Sequence, residues 1–275
     1  MNNLKTAVLL AALSGLLIAV GGAIGGMGGA LVFFVIALAM NFGSYWFSAD
    51  IVLKSTHAHE ISRDQDPQLF AMVEDISQRA GMPMPRVYAM DSMQPNAFAT
   101  GRSPEHAAVA VTAGIRQMLT DRELRAVLGH ELAHVKNRDV LTSSIVAAIA
   151  SAISMIGWMG LWFGGGDRRN GAGSLLALIV APIAATLIQL GISRSREFEA
   201  DADGADISGD PEALASALQK IEMGARRVPM NVPESTAHLF IANPFAGLRG
   251  AKLLSTHPPT EERVARLMRR AGRSA

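Results

Sequence analysis

The sequence predicts an α-helical membrane protein that carries a polar α+β domain, and three observations support that expectation. Charged residues make up 18 % of the 275-residue chain and hydrophobic residues 49 %, against about 25 % charged in an ordinary soluble domain. Charges are missing altogether from three long stretches, 6–49, 140–166 and 170–193. The polar regions between them, 50–139 and 194–275, have helix and strand patterns of their own. A net charge of +1 with no basic arm leaves no field for nucleic acid, so no such partner is expected. The absence of cysteine rules out disulfides, thiolate metal sites and cysteine nucleophiles.

The first charge-free stretch is too long for one crossing and suits two, because about 20 apolar residues span a bilayer core. Glycines at 21–22, 25–26 and 28–29 supply a hinge, so residues 4–22 and 29–47 are expected to form a hairpin. Tyr45 and Trp46 at its far end suit an interfacial aromatic belt. A cleaved signal segment is the rival reading, but a second apolar segment follows almost at once. Residues 140–166 and 170–193 make a second hairpin, separated only by Asp167, Arg168 and Arg169 among glycines. Pro182 would kink its second arm, and a buried or re-entrant hairpin is the alternative to full crossing. The chain thus divides into a hairpin (1–49), a polar part (50–139), a hairpin (140–193) and a second polar part (194–275). Both polar parts fall on one side. Lys5, Lys54, Lys136, Arg138, Arg194 and Arg196 lie on that side against Arg168 and Arg169 opposite, which places the domain in the cytoplasm.

Within the polar parts, Asp66-Pro67 followed by an apolar periodic run and Gly81 predicts a helix. Short runs rich in Val, Tyr, Phe and Ala at 86–90, 97–100 and 107–112 predict a small sheet. Thr120 and Glu123 form a capping box that opens a helix over 124–136. Helical spacing of apolar residues returns at 211–227 and 259–271.

The strongest signal is His130-Glu131-Leu132-Ala133-His134. Residues i and i+4 share a helix face, so both imidazoles can hold one zinc ion. Glu131 then stands beside the water that the metal polarises, as general base. A catalytic zinc takes a third protein ligand, and Ser193-Arg194-Ser195-Arg196-Glu197-Phe198-Glu199-Ala200-Asp201 offers Glu197. Asp201, again at i+4, can receive the N–H of a ligand histidine. Glu199 is the rival ligand, turned about 200° away on a helix. If the ligand helices run on into the apolar segments, the metal sits close to the membrane surface.

HEXXH followed by EFXAD after two apolar segments resembles the HtpX family of membrane zinc metalloproteases, bacterial relatives of the CAAX prenyl proteases. Asn96-Ala97-Phe98-Ala99-Thr100-Gly101, the lead-in Ser193-Arg194-Ser195-Arg196, and His257-Pro258-Pro259 with Arg263 resemble further motifs of that family. The resemblance extends over essentially the whole chain. It implies one zinc held by His130, His134 and Glu197, Glu131 as base and Asp201 as orienting group. It also implies that Ala107, Ala108, Val109, Ala110 and Val111 pair with substrate backbone, with Asn96 nearby, and that His257 and Arg263 line the cleft. His257 is then a candidate for stabilising the oxyanion.

The expected architecture is therefore α-helical transmembrane hairpins plus an α+β zincin-like metalloprotease domain. The expected activity is zinc endopeptidase action on polypeptides at the bacterial inner membrane, with misfolded or damaged membrane proteins as substrates. A CAAX-type prenyl-protein endopeptidase and a non-enzymatic membrane protein with structural zinc are the alternatives.

Overall fold

The structure is a computed structural model that describes residues 2–141, 143, 145, 194–228, 232, 236, 239–243 and 257–272. Apart from residues 140, 141, 143 and 145, the expected second hairpin lies outside the described residues. The chain begins with a long helix, α1 (Asn2–Ser55), broken at Gly25 and Gly26. Gly26 has φ +58, a left-handed conformation that costs glycine nothing and most residues a good deal. The arms fold back on each other: Asn41 Nδ2 donates to Ser14 Oγ at 2.8 Å. The break falls inside the expected hinge. The second arm, Gly25–Ser55, is the one helix among the described residues long and apolar enough to cross a membrane. It does not stop at residue 49, the expected border. It runs into the polar domain, where Val52 and Leu53 pack against Tyr88, Phe98, Ala110 and Phe240.

The domain is mixed. Strand β1 (His59–Glu60), helix α2 (Pro67–Ala80), strands β2 (Arg86–Met90), β3 (Ala97–Gly101) and β4 (Ala107–Thr112), and helices α3 (Ala113–Met118) and α4 (Asp121–Lys136) follow in order. After the second apolar region come α5 (Arg194–Ser208), α6 (Pro211–Arg227) and α7 (Thr260–Arg270). The signals read from sequence act where expected. Asp66 caps α2 by accepting from Leu69 N at 2.9 Å, and Thr120 and Glu123 close a reciprocal capping box on α4.

The sheet order is β1-β2-β4-β3, with β2 parallel and β3 antiparallel to β4. Strand β4 is therefore interior, and both its faces are covered. Val109 and Val111 join the core formed with Leu69 and Val73 of α2, Leu124 and Leu128 of α4, and Leu214 and Ile221 of α6. Ala108 and Ala110 face the second cluster with Phe98 and Phe240. This overturns the expectation that Ala107, Ala108, Val109, Ala110 and Val111 pair with substrate. Their backbone groups are already engaged by β2 and β3, and the sheet edge near α4 belongs to β3.

Candidate metal centre and active site

Helix α4 carries His130 and His134 on one face, their rings edge-on with centroids 4.8 Å apart. Helix α5 crosses α4 closely enough to bring Glu197 between them. The crossing depends on two glycines: a Cβ on Gly204 would lie 2.6 Å from His130 Cα, and one on Gly129 would lie 2.8 Å from Gly204 O. Glu197 Oε2 stands 3.8 Å from His130 Nε2 and Oε1 stands 3.5 Å from His134 Nε2. Donor atoms in a tetrahedral zinc site with ~2.0 Å bonds are separated by about 3.3 Å, so the three side chains fit a divalent metal with little adjustment. The donor set, two imidazoles and a carboxylate with no thiolate, suits the same ion.

Each histidine is braced on its other nitrogen. His130 Nδ1 lies 3.0 Å from Asp201 Oδ1, the group that the i+4 spacing from Glu197 singled out. Arg263 clamps Asp201 with two bonds, Nε at 2.8 Å and Nη2 at 2.7 Å. Arg263 is 2 % exposed, so its expected place lining the cleft is corrected: it lies behind His130, where Asp201 takes up its guanidinium. His134 Nδ1 lies 3.3 Å from Asp139 Oδ2, a partner the sequence reading missed. Helix α4 does not run on into the apolar segment. It ends at Lys136, and Arg138 at φ +59 turns the chain so that Asp139 comes back to the histidine. A lone aspartate at the head of an apolar run was the available signal.

Glu131 is 3 % exposed and accepts from the backbone N–H of Ala99 at 2.9 Å, which ties the base to strand β3. Burial pushes its carboxyl up to about 8, with His134 opposing and Glu197 adding to the rise. Burial also lowers His130 to about 4. His134 moves the other way, up to about 9, because Glu197 and Asp139 outweigh its burial. Glu197 is held well below the usual carboxylate range despite its burial, chiefly by His257 and His134. His257 Nδ1 lies 2.8 Å from Glu197 Oε2, so His257 does reach the cleft, seated on the third ligand.

The cleft, half open to solvent, is walled by these groups together with Ala99, Val140 and Leu239, Phe240 and Ile241. The last three come from a segment that the sequence reading passed over. Ile241 N–H donates to Ala97 O at 3.0 Å, so residues 239–243 lie along the beginning of β3's outer edge. Asn96 fixes them: its side chain donates to Ala242 O at 3.0 Å and accepts from Ala242 N at 3.2 Å. Asn96 is fully buried, and the expectation that it binds substrate is corrected accordingly. Its amide holds the protein's own backbone.

Comparison with known proteins agrees with this geometry. Residues 63–271 match the model of peptidase family M48. A protease HtpX homolog of Methylibium petroleiphilum is 52 % identical over 276 residues, covering 97 % of both chains. One from Ralstonia nicotianae is 52 % identical over 277 residues, covering 98 % of this chain and 97 % of that one. Among solved structures, Ste24p of S. mikatae superposes with a TM-score of 0.52 at 17 % identity, over 97 % of this chain and 65 % of that one, a likeness of fold.

Proposed function

The chain belongs to peptidase family M48, and from that premise we propose that it is a membrane-bound zinc endopeptidase. The observation that carries the reading is the meeting of His130, His134 and Glu197 with Glu131 beside them, in a cleft bounded by a strand edge. Zinc bound there supplies Lewis acidity for a peptide carbonyl and for the attacking water. Glu131 takes the proton from that water and returns it to the leaving nitrogen. Its raised proton affinity in the buried cleft suits both steps. Asp201 and Asp139 hold the two imidazoles in the tautomer that leaves Nε2 for the metal. His257 lies where it can face the developing oxyanion.

Substrate binds extended along β3, which replaces β4 in this role. The outward backbone groups of Ala97 and Ala99 mark that edge, since one meets Ile241 and the other Glu131. The apolar arm at 25–55 and the charge-free stretches at 140–166 and 170–193 support a multi-pass protein. It would lie in the bacterial inner membrane with its domain in the cytoplasm, acting on damaged or misfolded membrane proteins. A structural zinc would have no use for a buried base, which disfavours the non-enzymatic alternative.

The test is casein digestion in detergent by wild type and Glu131→Gln, paired with metal analysis. Glu131→Gln should keep one zinc per chain and lose about 10³-fold in rate. Activity that survives the substitution, or that ignores a chelator, would sink the reading.

A further inference from the structure

A second, shallow recess, open to solvent, lies next to the metal cleft and shares Val140 with it. It is lined by Gly101, Arg102, Ser103, Val135 and Arg138 among others. Strand β3 leads from one to the other. Ala97 and Ala99 turn their backbone groups away from β4, and Gly101, two residues on, ends the strand at φ +142 and lines the second recess. An extended chain paired beside Ala99 therefore reaches this cavity after two residues, about 7 Å further on.

The cavity is basic. Arg102 lies with its guanidinium 4.5 Å from the centroid of the Trp46 ring, which fixes the side chain through its flat face. No carboxylate pairs with it among the described residues. Arg116, Arg122, Arg125 and Arg270, by contrast, each hold an aspartate. Arg138, placed by the left-handed turn after α4, likewise forms no ion pair among the described residues. Glu105 on the neighbouring turn is fully exposed and leans first on the Ser103 hydroxyl, with Arg138 only a weaker influence.

We propose that this cavity is a substrate subsite for an acidic side chain, carried two or three residues from the scissile bond, with Arg102 and Arg138 as its specificity determinants. The inference rests on the reading of β3 as the substrate edge. A carboxylate entering here meets the half-buried Arg102 and the exposed Arg138, beside the Ser103 hydroxyl, which also pairs with His106 Nδ1 at 3.1 Å. A charge-assisted hydrogen bond in such a setting discriminates by about tenfold to a hundredfold.

The experiment uses the full-length zinc-loaded protein in detergent. Fluorogenic peptides, cut at a position mapped by mass spectrometry, differ only in bearing Glu, Gln or Lys two or three residues to either side of the bond. Wild type should favour Glu over Gln at one of these positions by at least about tenfold in kcat/KM, mainly through KM. Arg102→Gln, alone and combined with Arg138→Gln, should bring that ratio toward one, each variant being read against its own kcat/KM for the Gln peptide. Arg102→Glu with Arg138→Glu should favour the Lys peptide. Equal cleavage of Glu and Gln peptides by wild type, or a preference that survives the double substitution, overturns the subsite. So does a result in which the substitutions change only the response to phosphatidylglycerol against phosphatidylcholine nanodiscs, which would make the cavity a lipid-headgroup site. Chelator-sensitive cleavage of the Gln peptide is the independent check on the parent reading. Its absence would remove the protease and the subsite together, whereas its presence with a flat Glu/Gln ratio removes the subsite alone.

Discussion

His130 and His134 each present Nε2 to Glu197 and Nδ1 to an aspartate, yet the two aspartates belong to different parts of the molecule. Asp201 sits one turn after Glu197 on α5 and is clamped by the buried Arg263 from α7, so three helices of the domain core fix His130. Asp139 lies past the end of α4, at the head of the second apolar region, and the Arg196 guanidinium is 3.8 Å away. One buried aspartate is thus gripped by two short hydrogen bonds from an arginine, and the other stands on a turn of chain with its arginine 3.8 Å away. Two imidazoles that look equivalent in the motif differ in what holds them, and they also differ in charge: burial keeps His130 neutral, while Glu197 and Asp139 keep His134 protonated without metal.

The contrast can be broken by substitution, here in order of effect on metal affinity. Asp201→Asn should be the most severe. It weakens His130's orientation and leaves Arg263 as a buried cation without its partner, a loss of about 3–5 kcal/mol. Zinc affinity, measured by competition with a chromophoric chelator, should fall about a hundredfold, with a marked drop in melting temperature. Asp139→Asn should cost only about tenfold in zinc affinity and less melting temperature, because its arginine stands 3.8 Å away instead of gripping it with two short hydrogen bonds. Equal losses at the two sites would show that the bracing is symmetrical after all.

The difference in charge can be measured directly. His134 must shed its proton to bind metal, whereas His130 has none to give near neutrality. Zinc uptake by the metal-free protein at pH 7 should release at least one proton, read from calorimetry in buffers of different ionisation enthalpy. His134→Ala should remove one proton from that count, and a count unchanged by the substitution would contradict the assignment. Zinc affinity should accordingly rise as pH increases from 6 toward 9.

Glu123, at the opposite end of α4, sharpens the comparison by leaving the metal untouched. Burial alone would raise its carboxyl, but Lys220, Ser216 and the Thr120 cap bring it down to about 2. A carboxyl lowered in the folded state stabilises fully above its unfolded value, near 4.5, and this contribution disappears as pH falls toward 2. Its loss should amount to about 2–3 kcal/mol. Melting temperature should therefore fall more steeply between pH 5 and pH 2 in wild type than in Glu123→Gln. Zinc affinity at pH 7 should be the same in both.

The parts of the site legible in the sequence are those set by local periodicity. The i, i+4 relation placed His130 with His134 and Glu197 with Asp201, and helix caps marked α2 and α4, because neighbours a turn apart are fixed by the helix itself. What was missed depends on partners far along the chain. Strand order is decided by pairing across the fold, so 107–112 looked as fit to be an edge as 97–101. The unbroken apolar run Ala-Ala-Val-Ala-Val, with no polar residue on alternate positions, was the available hint of a strand covered on both faces. Arg263 and Asn96 resemble ordinary surface polar residues until Asp201 and Ala242, 62 and 146 positions away, are brought to them. Asp139 needed a chain reversal at a non-glycine residue, which residue preference does not announce.

The segment at 239–243 has a consequence for how the protein survives among its neighbours. An uncovered strand end is a template on which any stray extended chain can grow, and proteins that handle unfolded polypeptides meet such chains constantly. By laying Ile241 against Ala97 and pinning Ala242 with Asn96, the molecule covers the beginning of the β3 edge and leaves its later part, from Ala99 on, within reach of Glu131. A chain that settles there meets the cutting groups before it can recruit a second strand.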